Sequence, residues 1–256
     1  ALENGIVQAG DFTSYTAKAT RGQMAYLFSR ALPASVLPSI NNVQTLPDVT
    51  GSTKYSQEIF SLYNAGVLTG SDVFGTFKPN DNIIRAEAAA ILTRVALPEQ
   101  RKTVVLMKQV QWGVAKLAIP QSAGAGVTEN GMYTVTSEQD ACGVIATSVT
   151  DSAYKGLSVT VLTEQQMNNI LTQAFNSTDG KLSNAKSTKV SFGSVKAYRT
   201  VGILTTDEGA GDCLIFTYIT GNKMDMICLL AYENDTALKN MANGLMVGGV
   251  TASPQF

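Results

Sequence analysis

The stretch Asn82-Ile83-Ile84-Arg85-Ala86-Glu87-Ala88-Ala89-Ala90-Ile91-Leu92-Thr93-Arg94-Val95-Ala96-Leu97 decides how the first part of the chain is read, because Ala19-Thr20-Arg21-Gly22-Gln23-Met24-Ala25-Tyr26-Leu27-Phe28-Ser29-Arg30 repeats its pattern. Both pieces predict a helix with an arginine in its first turn. Ala88, Ile91, Leu92 and Val95 make an apolar stripe at helical spacing, and Met24, Leu27, Phe28 and Ala31 make the same stripe at matching places. Arg94 and Arg30 both fall in the last turn, where a cation suits the helix end. The exits match as well: Leu97-Pro98 and Leu32-Pro33. Two helices with the same start, stripe and stop indicate an internal repeat.

The flanking residues extend the repeat. Pro47-Asp48-Val49 leads into a helix over about Lys54–Ala65, with Tyr55, Ile59, Leu62 and Tyr63 on its apolar face and Gly66 to end it. Gly66-Val67-Leu68-Thr69-Gly70 and Phe77-Lys78-Pro79 then lead to the Arg85 helix. Gly5-Ile6-Val7 aligns with Gly66-Val67-Leu68, and Leu2 to Ile6 reads as the end of a helix cut short. The chain therefore begins in the middle of a repeat, which implies that its front has been removed. Thr20 and Gln23 have capping-box spacing, whereas Ile84 has no acceptor to offer at the same place.

Leu46-Pro47-Asp48-Val49, Tyr55-Ser56, Gly66-Val67-Leu68-Thr69-Gly70, Phe77-Lys78-Pro79 and Ile84-Arg85-Ala86-Glu87 resemble an S-layer homology (SLH) repeat in order and spacing. The resemblance covers residues 1–98, as one repeat without its front and one whole. It implies all-α helical repeats that bind secondary cell-wall polysaccharide, often pyruvylated, and so a cell-wall or cell-surface location outside the cell. By the same resemblance Arg21 and Arg85 are the contacts to the anionic sugar. Asp48 shapes the groove or accepts sugar hydroxyls, and Gly70 belongs to the same glycan-binding set. A guanidinium fork can read a carboxylate with two parallel bonds. A salt bridge or carbonyl contact that holds repeats together accounts for the arginines equally well. The sequence departs from the family pattern at Tyr55, where a tryptophan is usual, at Ile84, where a threonine is usual, and at Gly22-Gln23.

After a polar hinge at 99–102 the character changes. Thr103–Val110, Trp112–Ile119, Gly131–Thr136 and Gly143–Val149 read as strands, and Thr163–Asn176 as an amphipathic helix. A three-stranded meander follows, over Gly193–Thr205, Cys213–Thr220 and Met224–Tyr232, and Asp235–Met246 closes as a helix. A two-residue turn at Gly221-Asn222 sets Ile219 opposite Met224, Ile215 opposite Cys228 and Phe216 opposite Ile227. Both hairpin faces are then apolar, which places the hairpin centrally in a covered sheet. Cys213 and Cys228 fall on the diagonal, a long spacing for a disulfide. Residues 103–256 thus read as an α+β domain, an antiparallel sheet with packed helices. The element order resembles the PsbP-like class, whose members mostly bind partners without catalysis.

Composition narrows the chemistry. Lys and Arg number 19 against 20 Asp and Glu, with no basic run, which disfavours nucleic acid as a partner. No apolar run is long enough to span a membrane. Histidine is absent, so the commonest general base and metal ligand are missing, and Cys142 has no base to activate it. The three cysteines have no metal-type spacing. Asp207, Glu208 and Asp212 read as a solvated hairpin loop, and Asn176-Ser177-Thr178 fits a glycosylation sequon. The expectation is a non-catalytic, wall-anchored surface protein with no metal or cofactor, whose C-terminal domain binds an unidentified partner. Two other readings stand beside it: a wall-anchored enzyme acting on glycan or peptide, and repeats that pack or self-associate without binding glycan.

Overall fold

A computed structural model describes residues 2–176 and 180–253, so Ser177 and Thr178 of the sequon lie outside it. The chain divides into two compact units, one up to Leu106 and one from Met107 onward. The expected hinge at 99–102 does not mark that division. Pro98–Gln100 is a short 3-10 turn, and the chain beyond it stays with the first unit. The Lys102 amide donates to Gly66 O at 3.0 Å, the Val104 amide donates to Asn41 Oδ1 at 3.0 Å, and Leu106 is buried in the first core. The strand expected from Thr103 consequently begins only at Met107.

The first unit carries three α-helices: α1 (Arg21–Ala31), α2 (Ser56–Asn64) and α3 (Arg85–Ala96). Long irregular connections join them, so its regular structure is helical while much of its chain is not. Helix α2 buries Ile59, Leu62 and Tyr63 completely, along one stripe at three- and four-residue spacing. It ends as Gly66 invites: Gly66 takes φ +72°, its amide donates to Tyr63 O, and the Val67 amide donates to Leu62 O. That pair of bonds satisfies two of the orphan carbonyls at the helix end. At the start of α1, Thr20 Oγ1 accepts from the Gln23 amide at 3.2 Å and Gln23 Oε1 accepts from the Thr20 amide at 2.8 Å, the expected capping box. Helix α3 keeps half of that arrangement, the Ile84 amide donating to Glu87 Oε2 at 3.3 Å.

The repeat is visible in three dimensions. Arg30 Nε donates to Ile6 O at 2.9 Å, and the matching Arg94 Nη1 donates to the matching carbonyl, Val67 O, at 3.1 Å. Two expectations change. Leu2 to Ile6 forms a turn, closed by the Gly5 amide on Leu2 O at 3.1 Å, in place of a helix end. The inward face of α1 is Gly22, Ala25 and Tyr26, while Met24, Leu27 and Phe28 are only half-buried. The shift follows from contacts at Gly22, which sits against Pro79 O, and at Tyr26, which stacks on Tyr55.

The second unit holds two antiparallel sheets. Strands β1 (Met107–Trp112) and β2 (Ala115–Pro120) pair with two short late strands. Strands β3 (Val127–Glu129), β4 (Met132–Ser137) and β5 (Cys142–Thr150) precede helix α4 (Glu164–Asn176). Four long strands follow it: β6 (Lys181–Phe192), β7 (Val195–Thr206), β8 (Gly209–Thr220) and β9 (Lys223–Ala231). Helix α5 (Asp235–Gly244), β10 (Met246–Val247) and β11 (Val250–Thr251) finish the described chain. The large sheet runs β3-β4-β5-β9-β8-β7-β6 and the small one β1-β2-β10-β11.

The β8–β9 hairpin has the expected register, with Ile219 opposite Met224, Phe216 opposite Ile227 and Ile215 opposite Cys228. It lies inside the large sheet, between β7 and β5. One face meets α4, through a core of Met167, Leu171, Phe175, Tyr198, Ile215 and Cys228. The other meets α5. The meander has four strands, because β6 escapes the sequence reading. A bulge between Ser183 and Lys186, with Asn184 at φ +54°, breaks its alternation. Asp207 and Glu208 form a tight turn between paired Thr206 and Gly209, while Asp212 pairs with Ile203 inside the sheet. Among the described residues no group of three or more acidic, cysteine or histidine side chains is placed to hold a metal.

All three cysteines are free and buried. Burial, and to a lesser degree Asp140, pushes the Cys142 thiol up to about 12. A hydrogen bond with Cys213, together with burial, raises that of Cys228. A disulfide reagent added to the native protein is therefore expected to find no reactive thiol, and all three should react once the protein is unfolded. Rapid reaction of any one of them in the folded state would contradict this packing.

Candidate functional site

The four residues singled out in the repeat region fall into different environments. Arg21 is largely enclosed, its side chain only 10% exposed. Its Nε donates to Phe77 O at 2.5 Å, its guanidinium forms an ion pair with Glu87, and its Cζ lies 5.2 Å from the centroid of the Phe77 ring. The backbone reinforces the contact. The Arg21 amide donates to Asp81 O at 2.8 Å, the Gly22 amide to Pro79 O at 2.9 Å, and the Ile83 amide to Ala19 O at 3.1 Å. The turn of the second repeat is thus fastened over the helix start of the first.

Asp48 holds the same turn from its other side. Its Oδ1 accepts from the Phe77 amide at 2.9 Å and its Oδ2 from the Lys78 amide at 2.6 Å. Lys78 sits at φ +59°, a conformation that a non-glycine residue adopts only when its surroundings hold it there. Charge-assisted bonds to the two amides supply that hold.

Gly70 acts through its lack of a side chain. It takes φ +80°, and a Cβ there would lie 2.6 Å from Gly75 Cα and 3.1 Å from Tyr63 Oη. Tyr63 donates to Gly75 O at 2.9 Å, closing the crossing of the two backbone segments. Burial raises the Tyr63 hydroxyl well above its ordinary value, so it remains a donor.

Arg85 is exposed, and among the described residues no hydrogen bond or ion pair engages its side chain. The structure therefore brings Arg21 and Asp48 together around Phe77–Lys78, and leaves Arg85 as the free guanidinium of the two helix starts. Both arginines lie at a positive helix end, but only Arg85 can still offer its fork to an anion.

Sequence reasoning missed an aromatic and charged cluster beside this junction. Tyr55 precedes α2 at φ +66°, and its ring lies 4.8 Å from that of Tyr26 at 38°. Lys54 Nζ stands 4.8 Å from the Tyr55 centroid, and Arg30 Cζ 5.1 Å from that of Tyr26. The Tyr26 hydroxyl donates to Asp11 Oδ2 at 2.6 Å. Bonds from the Gln8 amide and from Tyr26 lower the Asp11 carboxyl, and the same Tyr26–Asp11 bond raises the Tyr26 hydroxyl. The buried Tyr55 hydroxyl has no partner among the described residues. The signal for it in the sequence is Tyr55 itself, an aromatic in the turn that enters α2. Nearby, an open cleft of about 290 Å³ is lined by Val7, Phe12, Tyr15, Lys18 and Leu27 among others.

No curated protein sequence matches the chain. Among solved structures, the solution structure of cyanobacterial PsbP (CyanoP) from Synechocystis sp. PCC 6803 is similar at 12% identity and a TM-score of 0.43, covering 57% of this chain and 94% of that one. A crystal structure from Bacteroides thetaiotaomicron VPI-5482 is similar at 8% identity and a TM-score of 0.34, covering 52% of this chain and 45% of that one. The family model of the S-layer homology domain matches residues 45–89, which span Asp48, α2, Gly70, Phe77 and the start of α3. Over this segment the chain is similar to the S-layer homology domain.

Proposed function

We propose that the first unit anchors the protein to secondary cell-wall polysaccharide at the cell surface, and that the second unit is displayed as a non-catalytic binding module. The observation that carries this reading is the S-layer homology match over 45–89. Arg85 supports it in detail, as an exposed and unpaired guanidinium at the start of α3. An anionic sugar substituent would meet there a two-pronged donor and the free amides of a helix start. Arg21 has the same place in its own repeat, but its fork is spent on Phe77 O and Glu87. The proposed division of labour is that Arg85 contacts glycan while Arg21 and Asp48 build the surface. No helix among the described residues is long and apolar enough to cross a membrane, and an anchor in the wall needs none.

A second reading keeps the repeats structural, without glycan contact. The enclosure of Arg21 and Asp48 favours it, since both spend their charge within the protein. Cosedimentation with purified Gram-positive-type cell walls, before and after chemical removal of the secondary polysaccharide, separates the two. Binding should vanish with the polysaccharide. Arg85→Ala should weaken binding by about tenfold or more and leave the melting temperature unchanged, since a charge-assisted bond is worth about 1.5–3 kcal/mol. Equal binding by stripped walls, or by the Arg85→Ala protein, would sink the anchoring role. Arg21→Ala should lower stability by about 1–3 kcal/mol in denaturant titration, because it strips Phe77 O and Glu87 of their shared donor.

A further inference from the structure

The two repeats are equivalent in sequence, yet their helix starts are not equivalently covered. At the start of α1, the Pro79–Ile83 turn of the second repeat lies across the helix. The carbonyls of Asp81 and Pro79 take the Arg21 and Gly22 amides, and Asn82 forms a bridge with Thr20. At the start of α3 the corresponding place is bare. Ile84 is 61% exposed, and among the described residues no carbonyl accepts from the Arg85 or Ala86 amides. The bareness continues along the helix. Ile84, Ala88 and Leu92 share one face at four-residue spacing, and Leu92 is 50% exposed, whereas its counterpart Phe28 packs against the first core.

The chain also carries the missing half of this contact. The repeat alignment, Ala19 on Ile83 and Arg21 on Arg85, places Tyr15 where the second repeat has Pro79 and Ala17 where it has Asp81. Residues 13–18 are all exposed, and Tyr15 is 63% exposed. Among the described residues one molecule thus presents an uncovered helix start and an uncovered turn, and the junction inside the same molecule shows how such a pair fits.

We propose that the Ile84–Arg85 start of α3, continued by Leu92, is a docking face for the Thr13–Lys18 turn of a second copy of this chain, joined head to tail. In that joint the Tyr15 and Ala17 carbonyls accept from the Ala86 and Arg85 amides. The Arg85 guanidinium reaches the Thr13 carbonyl, as that of Arg21 reaches Phe77 O within the chain. Gln23 stands where Glu87 stands, so the second copy offers Arg85 a neutral acceptor in place of a carboxylate. The intermolecular joint is accordingly weaker than the internal one. The contact is heterologous, so each copy keeps one open half and chains or closed rings can grow. It does not depend on wall binding, although a docked copy and a glycan would compete for the same guanidinium.

Sedimentation velocity of the full chain over a wide concentration range tests the proposal. The wild-type protein should gain average mass as concentration rises to the high micromolar range. Ile84→Arg blocks the helix-start half and Tyr15→Asp the turn half, and each variant alone should stay monomeric with an unchanged melting curve. An equimolar mixture of the two retains one intact half on each molecule, so it should form a single one-to-one dimer and nothing larger. A wild-type protein that stays monomeric throughout, association that survives Ile84→Arg, or a mixture that remains monomeric would each overturn the proposal.

Discussion

The geometry of the repeat region depends on one enclosed guanidinium. Arg21 gives its fork to a carbonyl and a carboxylate of the following repeat and lays its plane near the ring of Phe77. An enclosed charge is costly unless every side of it is answered, and here hydrogen bonds, an opposite charge and a π face answer it. Asp48 grips the neighbouring amides of the same turn. A segment of only a few residues, Phe77 to Ile83, is thereby fixed from two directions. With it the second repeat is fixed on the first.

That arrangement explains why similar residues in the two copies do different things. A residue type and a place in a motif were legible from the amino-acid order, and they put arginine at both helix starts. Whether the arginine is spent or free was not legible, because the groups that consume Arg21 lie more than fifty residues further along the chain. The same limit applies to α1. Hydropathy alone points to one stripe, but the inward face is set by the room beside Gly22 and by the stacking of Tyr26, neither of which is a property of the helix alone.

The second unit shows what a short-range pattern can carry. The β8–β9 register followed from a two-residue turn and two apolar faces, since a slip of one residue would exchange every side chain between faces. Strand β6 obeys no such rule. Its bulge interrupts the alternation, and it lies at the sheet edge, where polar side chains are tolerated. Its lysines, Lys181, Lys186 and Lys189, lie along that edge, while the opposite edge is the very short β3. Both are devices that discourage further strands from adding to a sheet.

The path of residues 102–106 bears on where the first unit ends. The polar stretch that looks like a linker is tucked back onto the first unit by Gly66 and Asn41, and Leu106 closes over Gly75 and Leu46. The sequence that follows the stretch similar to the S-layer homology domain thus completes the core of the first unit before the next one starts. A chain cut at the end of the motif would leave an apolar slot open where Leu106 belongs. The folded unit is therefore longer than the stretch that its signature marks.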